Sequence, residues 1–179
     1  MTSLAQRHVL IMATSGFEES ELFGPREILL AAGARVSLAA PSLEPIRATV
    51  LDVPGRTISP DLTIADARVA DYDALLLPGG VINPDALRAD AAAVALIKGF
   101  AAAGKPVGAI CHAPWLLVEA DLLRGVRATG WRSILTDLRN AGANLVEAAV
   151  VRDGLIVTAR GPEDVTEFTA ALIAAILAA

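Results

Sequence analysis

Short apolar runs separated by helical patterns recur along the chain, and they constrain the fold more than any other feature. Residues 8–12 (HVLIM), 34–40 (ARVSLAA), 73–80 (DALLLPGG) and 105–110 (KPVGAI) are rich in Val, Leu, Ile and Ala, with little polar alternation. Such strands are buried on both faces, which is typical of a parallel sheet. The sequence therefore predicts an α/β fold with helices on both sides of a mainly parallel sheet.

Three segments have helical spacing of apolar residues: 20–33, 84–104 and 162–178. We expect Pro25 to lie near the first turn of its helix or to bend it, and Pro162 to lie in the first turn of the last helix. Pro- and Gly-rich residues 41–66 predict a small antiparallel excursion. Asp153-Gly154, between two strand-like runs, predicts a hairpin.

Composition limits the class of protein. A chain of 179 residues with 54% hydrophobic content predicts one domain over residues 1–179. The net charge of -5 and the absence of a Lys/Arg-rich run argue against nucleic acid as a partner. No apolar run reaches the roughly 18 residues of a membrane span, and the N-terminal run is too short for a signal peptide. We therefore expect a soluble, cytoplasmic protein that does not bind membranes.

The single cysteine lies in GKPVGAICHAPWLL, directly before one of the two histidines. It cannot form an intrachain disulfide, so the thiol needs another explanation. A nucleophile on a sharp strand-to-helix turn requires small residues two positions away on each side, and Cys111 has Ala109 and Ala113 there. Pro114 suits the first turn of the following helix. The pattern predicts a nucleophile elbow at Cys111.

At such a turn the thiol is expected to be exposed, with its pKa lowered by a helix N-terminus. The amides of His112, Gly79 and Gly80 are candidate oxyanion donors. Adjacent strand residues point to opposite faces, so His112 acts either through its imidazole, if the turn folds it back, or through its amide. The alternative for Cys111 is a small buried hydrophobe at a strand end.

Three carboxylates, Glu18, Glu19 and Glu21, begin the first predicted helix, where they complement the helix dipole. Three carboxylates within four residues are more than helix capping requires. One of them is therefore a candidate to point toward Cys111. Such a carboxyl would be protonated when it hydrogen-bonds a thiolate. One Cys with the widely separated His8 and His112 gives no standard zinc site, and we expect no metal and no other cofactor.

Several motifs together resemble the DJ-1/PfpI superfamily, closest to its PfpI-like intracellular protease and general stress protein branch. They are GFEESEL, DYDALLLPGG, NPDALR, GKPVGAICHAPWLLVEADLLRG, ATGWRSILTDLRNAGA and VVRDGLIVTARGPED. The resemblance implies a flavodoxin-like three-layer α/β/α sandwich, as in class I glutamine amidotransferases, with Cys111 as the elbow nucleophile. It also implies that Glu21 rather than Glu18 contacts the thiol, that His112 is the family histidine, and that Gly80 belongs to the facing glycine loop.

The resemblance further implies a homodimer or a higher homo-oligomer in which a carboxylate of the neighbouring subunit completes the Cys-His pair. By position that carboxylate is Asp85, although the archetypal protease has Glu there and a slightly shorter loop.

The resemblance implies three alternative functions. The first is a cofactor-independent cysteine enzyme for reactive carbonyls, of glyoxalase or deglycase type, acting on methylglyoxal or early glycation adducts. The second is an intracellular peptidase or amidase that uses the same thiol and a peptide or amide substrate. The third is a redox-responsive stress protein or chaperone that works through oxidation of Cys111.

Overall fold

The structure is a computed structural model and describes residues 4–179. The strands are β1 (His8–Met12), β2 (Phe17–Glu18), β3 (Arg35–Ala40), β4 (Ile46–Val50), β5 (Val53–Ile58), β6 (Leu62–Thr63), β7 (Ala74–Leu77), β8 (Val107–Ile110), β9 (Arg127–Ala128), β10 (Asn144–Leu145), β11 (Val150–Asp153) and β12 (Ile156–Ala159). The α-helices are α1 (Glu19–Ala31), α2 (Ile82–Arg88), α3 (Ala91–Ala102), α4 (Pro114–Glu119), α5 (Leu135–Asn140) and α6 (Val165–Ala178).

The central sheet has the strand order β11-β12-β8-β7-β1-β3-β6. All neighbouring pairs are parallel except β11 and β12, which form an antiparallel hairpin at one edge. β7 and β8 are buried along their whole length, as their lack of polar alternation predicted. The mainly parallel sheet expected from the sequence is confirmed.

Helices cover both faces of this sheet. Alternate side chains of β1 point to opposite sides, so Val9 and Ile11 pack with α1 and α6, whereas Leu10 and Met12 pack with α3 and α4. The result is the three-layer α/β/α sandwich that the family resemblance implied. The carboxyl ends of β1, β7 and β8 meet at one edge of the central layer.

The smaller features follow the predicted outline. β4 and β5 form the antiparallel excursion, joined by β2 in a three-stranded sheet. The hairpin between β11 and β12 turns at Gly154, whose φ of 59° lies in the left-handed region that glycine adopts without a steric penalty. Among residues 4–179, no helix has both the length and the apolar character that a membrane span requires.

The structure corrects three details of helix placement. The segment 84–104 is two helices, because α2 ends at Arg88 and Asp90 caps the start of α3 by accepting a hydrogen bond of 2.8 Å from the Ala92 amide. Pro25 lies buried in the interior of α1 rather than in its first turn. Pro162 begins a separate 3-10 turn, Pro162–Asp164, that precedes α6.

Candidate active site

The candidate site lies where three neighbouring strands end. Because β8, β7 and β1 are adjacent and parallel, their carboxyl ends bring together Cys111, the Pro78-Gly79-Gly80 loop and the segment that leads into α1. Crevices at the carboxyl ends of parallel strands are the usual ligand sites of such sheets. The topology therefore gathers the residues that the sequence singled out.

Cys111 occupies a strained turn between β8 and α4. Its φ of 64° is left-handed, an uncommon conformation for a residue with a Cβ atom and one that clusters at functional sites. The flanking Ala109 and Ala113 are fully buried, so larger side chains would not fit, and Pro114 is the first residue of α4. The backbone has the elbow geometry that the sequence predicted.

The expected exposure of the thiol is wrong: Cys111 is only 6% exposed. Its carbonyl oxygen accepts a hydrogen bond of 2.8 Å from the Trp131 amide, which holds the segment after β9 against the turn. On another side lies Gly79, where a Cβ atom would come within 2.6 Å of Cys111 Cβ. These two backbone segments pack against the turn, and the thiol has little contact with solvent.

The imidazole of His112 does fold back to the thiol, an outcome that the sequence left open. Nδ1 lies 3.2 Å from Cys111 Sγ, and Nε2 lies 3.2 Å from Ser133 Oγ. The rings of Trp115 and Trp131 pack on either side, with centroids 5.4 and 5.9 Å from that of the imidazole. Burial lowers the pKa of His112, which favours the neutral imidazole that can accept a proton.

Glu21 is fully buried beside the thiol, as the family resemblance implied. Its Oε2 accepts a hydrogen bond of 2.8 Å from the Gly79 amide, whereas its Oε1 finds no hydrogen-bond partner of regular geometry within residues 4–179. Burial is the main cause that raises the pKa of Glu21 to about 8. The nearby Cys111 thiol and Gly80 amide lower that pKa by less than burial raises it. Glu21 is therefore a neutral carboxyl group at pH 7.

The structure also changes the expected electrostatics of the thiol. Burial raises the pKa of Cys111, and a charged Glu21 raises it further, while the amides of Gly80 and His112 lower it. The lowered pKa expected from a helix N-terminus is wrong in direction, because desolvation outweighs the amides. Near pH 7 the site holds a thiol, a neutral imidazole and a protonated carboxyl group.

The predicted oxyanion donors divide into two groups. The Gly79 amide already donates to Glu21 and is not free for an oxyanion. Gly80 has a φ of 78°, and a Cβ atom there would collide with the Gly16 carbonyl oxygen, so only glycine fits. The Gly80 and His112 amides both lie near the Cys111 sulfur and remain candidates.

The remaining predicted residues lie farther from the thiol. Asp85 is exposed on α2, and its role as the carboxylate of a neighbouring subunit stays a prediction. Within one chain, the ring nitrogens of His112 contact Cys111 and Ser133. Glu18 accepts a hydrogen bond of 3.1 Å from the Leu51 amide. Glu19 forms a salt bridge of 3.0 Å with Arg56.

Sequence reasoning missed three residues around the site: Ser133, Trp131 and Asn83. Ser133 and Trp131 lie about twenty residues after Cys111, and only the tertiary fold brings them to His112. Asn83 precedes a proline, a pattern typical of a turn, and nothing in its sequence context indicates that it is fully buried.

A cavity of about 710 Å³ has Gly130 and Trp131 in its wall, and the Trp131 ring also packs on His112, although neither Cys111 nor His112 lines the cavity. A second cavity, of about 590 Å³, is lined by Glu18 and Phe23 and shares Leu51 with the first. Among residues 4–179 there is no group of three or more His, Cys, Asp or Glu that could hold a metal ion.

The sandwich carries a cysteine on a left-handed elbow, and an imidazole and a buried carboxyl group lie beside the thiol. These features define the class of cysteine-elbow α/β proteins. The sequence model of the DJ-1/PfpI family matches residues 7–175, and the chain belongs to that family.

Individual proteins support this assignment. The chain is 41% identical over 162 residues to the "Putative cysteine protease YraA" of Bacillus subtilis (strain 168), covering 90% of this chain and 94% of that protein. It is 37% identical over 164 residues to "Protein/nucleic acid deglycase 2" of Escherichia coli (strain K12), covering 90% and 93%. The crystal structure of Drosophila melanogaster DJ-1beta matches with a TM-score of 0.84 and 28% identity, over 93% of this chain and 88% of that one.

Proposed function

We propose that this protein is a cofactor-independent cysteine enzyme that acts on reactive carbonyls such as methylglyoxal or its early adducts. The observation that carries the proposal is the fully buried Glu21 carboxyl group beside a thiol whose sulfur lies 3.2 Å from the His112 imidazole. The raised pKa of Glu21, about 8, supports its role as an acid. An acid and a base on either side of a nucleophile suit addition to an aldehyde. The similarity to a protein named as a deglycase supports the same class of substrate.

The proposed reaction uses Cys111 as the nucleophile, His112 as the base and Glu21 as the acid. His112 Nδ1 accepts the thiol proton as Cys111 Sγ bonds to the aldehyde carbon, and the proton passes to the new alkoxide to give a hemithioacetal. Neutral His112 then removes the proton on that carbon while Glu21 protonates the neighbouring carbonyl oxygen, which gives an enediol. His112 returns its proton to the second carbon, the hydroxyl group on the first carbon gives its proton to the Glu21 carboxylate, and the product is a lactoyl thioester. Water then cleaves the thioester to lactate and restores the thiol. The net reaction converts methylglyoxal and water to lactic acid.

The test is lactate formation from methylglyoxal by the wild type and by Cys111→Ser. Lactate is the product to measure, because methylglyoxal also disappears into reversible adducts with amines and thiols. We expect turnover by the wild type and none above buffer by the variant. Equal lactate from both proteins would refute the proposal. A second series with methylglyoxal preincubated with N-acetylarginine, at matched free methylglyoxal, separates action on the adduct from action on the free aldehyde.

A second candidate is an amide or peptide hydrolase, favoured by the same short Sγ to Nδ1 distance and by the name of the YraA relative. Here Cys111 would form an acyl-enzyme, with the Gly80 and His112 amides holding the oxyanion. Intact mass spectrometry with a panel of amide and peptide substrates would detect the acyl-enzyme on the wild type and not on Cys111→Ser. No adduct and no cleavage across the panel would count against hydrolysis.

A further inference from the structure

Asn83 lies behind the glycine loop, outside the set of groups used in the proposed reaction. It is fully buried at the start of α2. Its Nδ2 donates two hydrogen bonds, of 2.8 Å to the Pro78 carbonyl and 3.0 Å to the Gly79 carbonyl. Its Oδ1 accepts one of 2.8 Å from the Thr14 amide, just beyond β1. One carboxamide thus joins the ends of β1 and β7.

The two carbonyls belong to the peptide units whose N–H groups face the active site. A trans peptide unit is planar, and its C=O and N–H point in opposite directions. The unit that carries the Pro78 carbonyl also carries the Gly79 amide, which donates to Glu21. The unit that carries the Gly79 carbonyl also carries the Gly80 amide, which lowers the pKa of Cys111. Asn83 therefore holds both peptide units by their carbonyl oxygens, on the side opposite to their N–H groups.

The orientation of the carboxamide is fixed by these contacts. If the amide were flipped, its oxygen would face two carbonyl oxygens and its NH₂ group would face the Thr14 N–H. Both contacts would be repulsive in a buried site. The side chain consequently has one stable arrangement, and it can hold the loop in one conformation. Hydrogen bonds to a carbonyl also polarise the N–H at the other end of the same peptide unit.

We propose that Asn83 is a positioning residue that aligns the Gly79 amide on Glu21 and the Gly80 amide on Cys111. It acts through the loop and does not touch a substrate. The inference rests on the reactive thiol of the proposed function but not on the identity of the substrate. Removal of Asn83 frees the Gly80 amide to turn away, and a thiolate that loses an N–H donor becomes harder to form.

The test is the pH profile of Cys111 alkylation by iodoacetamide, followed by intact mass for the wild type, Asn83→Ala and Leu87→Ala. Leu87→Ala is the matched control, because Leu87 is buried on the same helix but packs into the apolar core. We expect Asn83→Ala to raise the alkylation midpoint by about one pH unit, a roughly tenfold loss of rate at neutral pH. Leu87→Ala should lower the melting temperature and leave the midpoint unchanged.

An unchanged midpoint in Asn83→Ala, with a lowered melting temperature, would overturn the proposal and leave Asn83 a purely structural residue. If Asn83→Ala does not fold, the alkylation midpoint is measured in Asn83→Leu, whose side chain has the same branching but no hydrogen-bond donor. Alkylation needs no substrate, so failure to find lactate formation or hydrolysis leaves this test intact.

Discussion

Burial controls the chemistry of Cys111 and Glu21 more than any single partner does. It is the largest cause that raises the pKa of each group. Each also acts on the other, because ionisation of Glu21 raises the pKa of the thiol. Two such groups lose their protons as a coupled pair. The family resemblance placed the two residues together, whereas the sequence left the choice of glutamate open. The sequence also misjudged the pKa of the thiol, since desolvation depends on the loops packed over the turn.

Replacing Glu21 by Gln tests this coupling. Gln cannot ionise, so the negative charge that raises the Cys111 pKa is absent at every pH. We expect the midpoint of iodoacetamide alkylation to fall by about one pH unit, while turnover falls because the proton donor is lost. Glu18→Gln is the control, because its carboxyl group is also buried but accepts a hydrogen bond from the Leu51 amide. A midpoint that rises in Glu21→Gln would show that Glu21 instead promotes the thiolate.

Ser133 offers a second test at the same site. If His112 Nδ1 is to accept the thiol proton, Nε2 must carry the other one, and Ser133 Oγ at 3.2 Å is placed to accept it. Ser133→Ala should reduce kcat roughly fivefold, the worth of one hydrogen bond of about 1 kcal/mol, with little change in KM. An unaltered pH profile and kcat would remove Ser133 from the mechanism. Asp85→Asn, measured alongside, tests the predicted carboxylate of a neighbouring subunit.

The elements around the site differ in how well local sequence specifies them. β1 was predicted to the residue, because its four apolar residues after His8 end at a cluster of turn formers. The break between α2 and α3 was missed, because the alanines around Asp90 favour a continuous helix and the cap depends on one side chain. The thiol-to-imidazole contact was left open, because it requires the left-handed φ of Cys111. The local sequence pattern thus predicts the positions of strands better than the conformations of turns.

The helix boundary at Asp90 can be tested by stability. Its Oδ1 accepts hydrogen bonds from the Ala92 and Ala93 amides, of 2.8 and 3.3 Å. Asp90→Ala removes both, and we expect the free energy of unfolding to fall by about 1 kcal/mol in urea titrations. Asp90→Asn keeps the cap and removes the charge, so it should stay near the wild type. An equal loss in both variants would mean that charge, and not capping, stabilises α3.

Across the whole molecule, the fold and the position of the site could be predicted from the sequence, but the contacts within the site could not. The parallel sheet follows from the buried apolar runs, and the three layers follow from the alternation of strands and helices. The position of the site follows from the same topology, since the ends of β1, β7 and β8 must meet. Its hydrogen bonds do not follow, because Asn83 and Ser133 reach the site through contacts between distant segments. The strand topology thus determines where the site lies, and contacts between distant segments determine its hydrogen bonds.

Burial of Glu21 also makes the stability of the whole protein depend on pH. The folded pKa of about 8 lies above the ordinary value of 4.5, so the folded state holds a proton that the unfolded state releases. The contribution of Glu21 to stability therefore falls as pH rises from about 4.5 to about 8. At about 1.4 kcal/mol per pKa unit, the loss is on the order of several kcal/mol.

Urea unfolding of the wild type and Glu21→Gln between pH 5 and 9 measures this contribution, because the other titrating groups are common to both proteins. The difference in unfolding free energy, variant minus wild type, should grow with pH and level off above about pH 8. A difference that is constant over this range would mean that Glu21 ionises normally in the folded protein. The protonated carboxyl group on which the carbonyl chemistry depends would then be absent at pH 7.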